Sequence, residues 1–196
     1  MVCFTTSPSS TVPASVRPHR SLVCRPLDLL YLVYFVQHIP ATLFVDSQIL
    51  FPTEWFPKAL TDLAQYWLSV SGDPLFAAGR IGDNSNLTWL YTFMVAEFVF
   101  QLPFFGFAIR GLYRDSPCIR LPLALYGAHV ATAVAPILTS IWFGYPDLTT
   151  LQRYTLSAAY VPYFIIPVLM VVSNVCALTC GAHAQNTQPR SVKKDE

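Results

Sequence analysis

The sequence predicts an all-α membrane protein: a four-helix transmembrane bundle whose kinked helices surround a central pocket. Three observations carry that prediction. Hydrophobic residues make up 54% of the 196 positions and charged residues only 12%, and the mean hydropathy is +0.45. Apolar segments recur near 27–46, 87–109, 120–143 and 155–179, each close to the roughly 20 residues that cross about 30 Å of hydrocarbon as a helix. Each segment also contains proline, at Pro40, Pro103, Pro136 and the pair Pro162 and Pro167, and each proline removes a backbone hydrogen bond and tends to bend its helix. With 12 Lys and Arg against 11 Asp and Glu, the chain lacks the basic excess of a nucleic-acid partner, and none is expected.

Residues 1–25 read as a disordered cytosolic extension. They are rich in Ser, Thr and Pro and hold no continuous apolar run, unlike a cleaved signal peptide, and their prolines oppose the amphipathic helix of a mitochondrial presequence. Residues 26–180 form the transmembrane domain. Its first span carries Asp28 and His38 in an otherwise apolar run that ends at Asp46. In the loop that follows, Leu60, Leu63, Tyr66, Trp67 and Val70 recur at helical spacing, predicting a short amphipathic helix that caps the bundle, with Trp55 and Trp67 at the membrane interface. The second, third and fourth spans are apolar on all sides, so periodicity does not rank their faces.

Basic residues set the expected orientation, because short loops rich in Lys and Arg stay cytosolic. Arg17, Arg20 and Arg25 precede the first span, Arg110, Arg114 and Arg120 fall between the second and third, and Arg190, Lys193 and Lys194 follow the fourth. Both termini are therefore expected in the cytosol. The tail, 181–196, places Lys193 and Lys194 third and fourth from its end, matching a dilysine signal for retrieval to the endoplasmic reticulum; the plainer alternative is a solvated charged tail. A multi-pass protein of the endoplasmic reticulum membrane is the expectation. The cysteines sit on the cytosolic side and are expected as free thiols. No Cys or His pair has zinc-site spacing, so neither a metal nor a cofactor is expected. The sequon at Asn86 abuts the second span and is expected to be unmodified.

Polar groups inside the apolar runs mark the candidate site. In VAEFVFQLPFF, Glu97 and Gln101 lie one helical turn apart, just before Pro103. A carboxylate there costs about 2.5 to 3.5 kcal/mol on insertion scales, so it faces a bundle interior with a partner. Asp46 ends the first span, Asp73 lies in Ser71-Gly72-Asp73-Pro74, His129 and Thr132 are neighbours on the third span, and Tyr160 and Tyr163 share a face of the fourth. Each alone has a plain structural reading: Asp73 before proline suits a turn or cap, and a buried Tyr or His is more often bonded to a carbonyl. Together they predict a pocket with apolar walls and acidic polar content, suited to a large apolar ligand with one hydroxyl or ammonium, such as a sterol, another lipid or a lipophilic amine.

The segments QHIPATLFVDSQILFP, GDPLF, EFVFQLPFF, LYGAHVATAVAPIL and AAYVPYFIIP, in this order and spacing, resemble the sigma-2 receptor family of four-helix EXPERA-domain proteins across most of residues 27–172. That resemblance implies that Asp46 pairs with a ligand amine, that Asp73 orients it through a shared hydrogen bond, and that two such acids share a proton. It implies that Glu97, Gln101, His38, Tyr126, Tyr160 and Tyr163 line the same pocket. It also implies a homodimer as one assembly, and protein partners in sterol handling or in the quality control of mitochondrial precursors that failed to import. The family is related to the emopamil-binding sterol isomerases, and a sterol isomerase is the enzymatic alternative. In that branch a histidine stands one turn before the helix glutamate, where this chain has Phe93, so binding without turnover is expected. Ala133 stands where the receptors have a threonine, and Ser71 where they have an aromatic residue.

Overall fold

A computed structural model describes residues 21–81 and 87–186. Lys193, Lys194, the Asn86 sequon and most of the N-terminal extension lie outside the described residues. Those residues are helical, with no strand among them. Four helices are long and apolar enough to cross a membrane: α1 (Pro26–Leu50), α4 (Thr88–Tyr113), α5 (Pro117–Gly144) and α6 (Thr150–Cys180). Two shorter helices, α2 (Lys58–Ser71) and α3 (Pro74–Ile81), lie between α1 and α4. The four spans run alternately up and down, so α2 and α3 share one end of the bundle with the α5–α6 connection.

Proline locates the irregular turns. In α1, a π-helical turn at Thr42–Asp46 follows Pro40; in α4, one at Glu97–Gln101 precedes Pro103; in α5, one at Ser140–Gly144 follows Pro136. A proline leaves a carbonyl unpaired and crowds the turn before it, and the wider turn ahead of Pro103 relieves both; the turns after Pro40 and Pro136 lie on the other side of their prolines. In α6 the regular helix pauses between Tyr160 and Pro162. Because α1 continues through its π turn to Leu50, Asp46 lies within the span rather than at its end.

The core is aromatic. Tyr31, Tyr34, Phe35, Phe105 and Tyr126 are buried together, with Phe104 stacked on Tyr126 at 5.1 Å between ring centres. Helices α5 and α6 approach closely at Gly127, where a Cβ would overlap the Pro167 carbonyl oxygen and crowd Val171. At the end opposite α2, Asp28 is buried between two guanidinium groups: Arg25 Nη1 donates to Oδ2 at 2.8 Å, and Arg120 donates to Oδ1 and Oδ2 at 2.7 and 2.9 Å. Outward-facing residues such as Val99, Phe100 and Leu125 are exposed and apolar, as helices facing lipid require.

Helix α2 differs from its predicted orientation. Ala64 and Ser71 are its buried residues, whereas Leu63, Tyr66 and Val70 face outward. Trp67 turns inward against the bundle instead of sitting at the interface, because its indole N–H finds a carboxylate there. Cys24, Cys176 and Cys180 are free thiols.

Candidate ligand pocket

All four spans together with α2 and α3 enclose a cavity of about 290 Å³. Its walls are chiefly apolar, with Val45, Ile49, Leu75, Phe76, Leu90, Phe93, Met94, Val130 and Ile137 among them. His38, Asp46, Glu97, Gln101, Tyr160 and Tyr163 supply polar atoms to the same cavity. Six of the residues the sequence singled out are thus brought to one space. Asp73 and Tyr126 are close by but not on its wall.

The acidic centre is assembled by α1 and α4. Thr42, fully buried, donates its hydroxyl to Glu97 Oε1 at 2.5 Å. His38 Nε2 lies 3.4 Å from the same oxygen. One carboxylate oxygen of Asp46 lies within 4.8 Å of the His38 and Glu97 donor atoms. Among the described residues, no lysine or arginine pairs with either acid. The His38 ring is stacked on Phe105 at 4.9 Å and edged by Tyr34 and Tyr163. Gln101 faces His129 Nε2 at 3.4 Å, and Tyr163 donates to Gln37 Oε1 at 3.2 Å.

Asp73 performs two tasks from outside the cavity. Its Oδ1 accepts from the amides of Leu75 and Phe76 at 3.1 and 3.0 Å, which caps α3 as a short acidic side chain does at a helix start. Its Oδ2 accepts from the Tyr160 hydroxyl at 2.6 Å and from Trp67 Nε1 at 3.4 Å, and both of those rings line the cavity. The link to the pocket therefore runs through Tyr160 and Trp67, and no direct hydrogen bond to Asp46 is present among the described residues. The turn into Asp73 depends on Gly72, whose φ of 61° is left-handed and favours glycine. Nearby, outside the spans, burial pushes the Tyr145 phenol above its ordinary range and the charge of Asp73 adds to the shift.

Tyr126 sits deeper in the aromatic core, its hydroxyl 3.2 Å from that of Tyr34. Thr132 is exposed and bonds back to the Ala128 carbonyl, so it does not join the site. Thr42 and Trp67 are site residues that the polar inventory missed. A signal for Thr42 was present: His38, Thr42 and Asp46 recur at steps of four in an otherwise apolar run, which places them along one helix face. Ala133 and Phe93 both line the cavity, so the departures from the receptor and isomerase patterns fall on its wall. Ser71 lies behind it, accepting from the Asp73 amide at 3.2 Å.

A helical bundle of four candidate spans around an acidic, mostly apolar cavity defines a multi-pass membrane protein. The chain belongs to the EXPERA (EXPanded EBP superfamily) family, whose profile matches residues 59–174, and within it to the sigma-2 receptor group. It is 36% identical over 160 residues to Sigma intracellular receptor 2 of Xenopus tropicalis, covering 77% of this chain and 90% of that protein. The human protein of the same name is 32% identical over 159 residues, covering 76% and 86%. Efficient mitochondria targeting-associated protein 19 of Schizosaccharomyces pombe is 29% identical over 171 residues, 84% of each chain.

Proposed function

We propose that this protein is a receptor of the endoplasmic reticulum membrane that holds a sterol, another lipid or a lipophilic amine in its intramembrane pocket and acts through protein partners. The observation that carries the reading is the cavity, whose apolar walls meet two carboxyl groups with no lysine or arginine partner among the described residues. Buried charge of that kind calls for a counter-charge or a hydrogen-bond donor, and a ligand ammonium or hydroxyl supplies it. Asp46 faces the ligand, Glu97 is held beside it by Thr42, and Asp73 fixes the pocket wall through Tyr160. Detergent-solubilised wild type is expected to retain a radiolabelled lipophilic amine that Asp46→Asn releases. Equal retention by the two would refute the assignment.

Both termini are assigned to the cytosol. Arg25, Arg110, Arg114 and Arg120 support this, clustering at the end of the bundle away from α2 and α3, as does the dilysine pair. Replacing Lys193 and Lys194 by Ser should move the protein to later compartments, and unchanged residence would remove the retrieval role. A second reading, a part in handling stranded mitochondrial precursors, is favoured by the 84% coverage of the fission-yeast relative. Deletion should then slow clearance of such precursors, and unaltered turnover would count against it.

A further inference from the structure

We propose that His38, Asp46 and Glu97 form a site for one divalent transition-metal ion of the zinc type, open on its remaining side to the cavity. Each residue offers one ligand atom, and the three atoms lie within 4.8 Å of one another. His38 Nε2 and Glu97 Oε1 are 3.4 Å apart; two donors about 2.0 Å from a tetrahedral zinc ion stand about 3.3 Å apart. Asp46, on the cavity wall, is the third donor, its oxygen within 4.8 Å of the other two.

Charge points the same way. Once a metal displaces their protons, an imidazole and two carboxylates carry a double negative charge, with no lysine or arginine against it among the described residues. Buried charges are paired or coordinate metals, and a dication balances this set. The mixed nitrogen and oxygen donors favour zinc, cobalt or iron over calcium and magnesium, which take oxygen alone. Three protein ligands with an open position is the pattern of a metal that accepts an outside ligand.

The surroundings hold the donors in place. Thr42 bonds to Glu97 Oε1, an outer contact of the kind that orients metal ligands. The Phe105 stack and the Tyr34 and Tyr163 edges fix the tilt of the imidazole. His38 is 7% exposed, so its Nε2 is held away from solvent beside Glu97 Oε1. Spacing along the sequence hid the group because its members come from two helices. The ion would share the acidic centre with an ammonium ligand and compete with it, although metal binding itself does not depend on the receptor reading.

The test uses full-length detergent-solubilised protein stripped with a chelator and then equilibrated with Co²⁺ or Zn²⁺. Wild type should take up about one ion per chain by elemental mass spectrometry and show visible Co²⁺ absorption without thiolate charge-transfer bands, bleached by excess Zn²⁺. Glu97→Gln and Asp46→Asn should each lose stoichiometric uptake, His129→Ala should keep it, and Thr42→Val should weaken it roughly 10- to 100-fold. Absent uptake by wild type, thiolate bands that place the ion on cysteines, or full uptake by both acid variants would each overturn the proposal. The wild-type spectrum decides the ligand type even where a variant does not fold. Amine retention measured on the metal-free protein keeps the two readings apart: retention without metal uptake sinks the metal site alone.

Discussion

Tyr160→Phe removes one oxygen and leaves the ring on the cavity wall, so it separates the architecture of the pocket from its chemistry. In the wild type that oxygen donates to Asp73 Oδ2 at 2.6 Å, and Asp73 is fully buried. A hydrogen bond to a charged group contributes about 1.5 to 3 kcal/mol. The remaining partner of Oδ2, Trp67 Nε1, is 3.4 Å away, too long to make good the loss. For a chain of this size each kcal/mol moves the midpoint by about 2 to 4 °C, so the midpoint should fall by roughly 3 to 12 °C. Because the Tyr160 hydroxyl is committed to Asp73, which lies off the cavity wall, and the ring stays in place, amine affinity should change by less than about tenfold, the equivalent of 1.4 kcal/mol. The assay pairs thermal unfolding of the solubilised protein, followed by tryptophan fluorescence, with radioligand saturation. An unchanged midpoint, or lost binding with the midpoint intact, would refute the division of labour between Asp73 and the Asp46–Glu97 centre.

Gly127→Ala forces a methyl group against the Pro167 carbonyl and should cost about 1 to 3 kcal/mol, read as a lower midpoint with amine affinity retained in the surviving folded fraction. Asp28→Asn leaves Arg25 and Arg120 without the carboxylate between them; breaking a buried pair costs about 3 to 5 kcal/mol, and partial exposure of Arg120 places the result at or below the lower figure. Its signature is a loss of stability comparable to that of Tyr160→Phe, measured in the same unfolding assay. Ala133→Thr adds a methyl and a hydroxyl to the cavity wall and should shift the rank order of bulky against small amines in competition binding while changing stability by no more than about 1 kcal/mol.

The bundle was legible because its cause is coarse. Long apolar runs, sparse charge and a proline in each run suffice to predict four kinked spans, and Glu97 stood out because a carboxylate has few places to be inside lipid. What the sequence hid depends on how a backbone answers its prolines. The π turns at Thr42–Asp46 and Glu97–Gln101 decide which side chains meet, and a count at 3.6 residues per turn does not report them. Asp46 was expected at the end of its span and lies inside it for the same reason. Trp67 read as an interfacial anchor because its helix is amphipathic, yet a buried carboxylate claims its indole. Tyr126 belongs to the aromatic core, one layer from the cavity, and nothing in its spacing separates it from Tyr160. The cap reading of Asp73 is realised by Oδ1, whereas Oδ2 bonds Tyr160 and Trp67 rather than Asp46.

The central claim is that the Asp46–Glu97 centre recognises one lipid-like ligand. Native mass spectrometry with lipid analysis of wild type beside Asp46→Asn and Glu97→Gln tests it most directly. The account predicts that a single sterol or lipid species co-purifies with wild type and is missing from both variants, which otherwise remain folded. The same species bound equally to all three proteins, or no defined species on wild type, would contradict it.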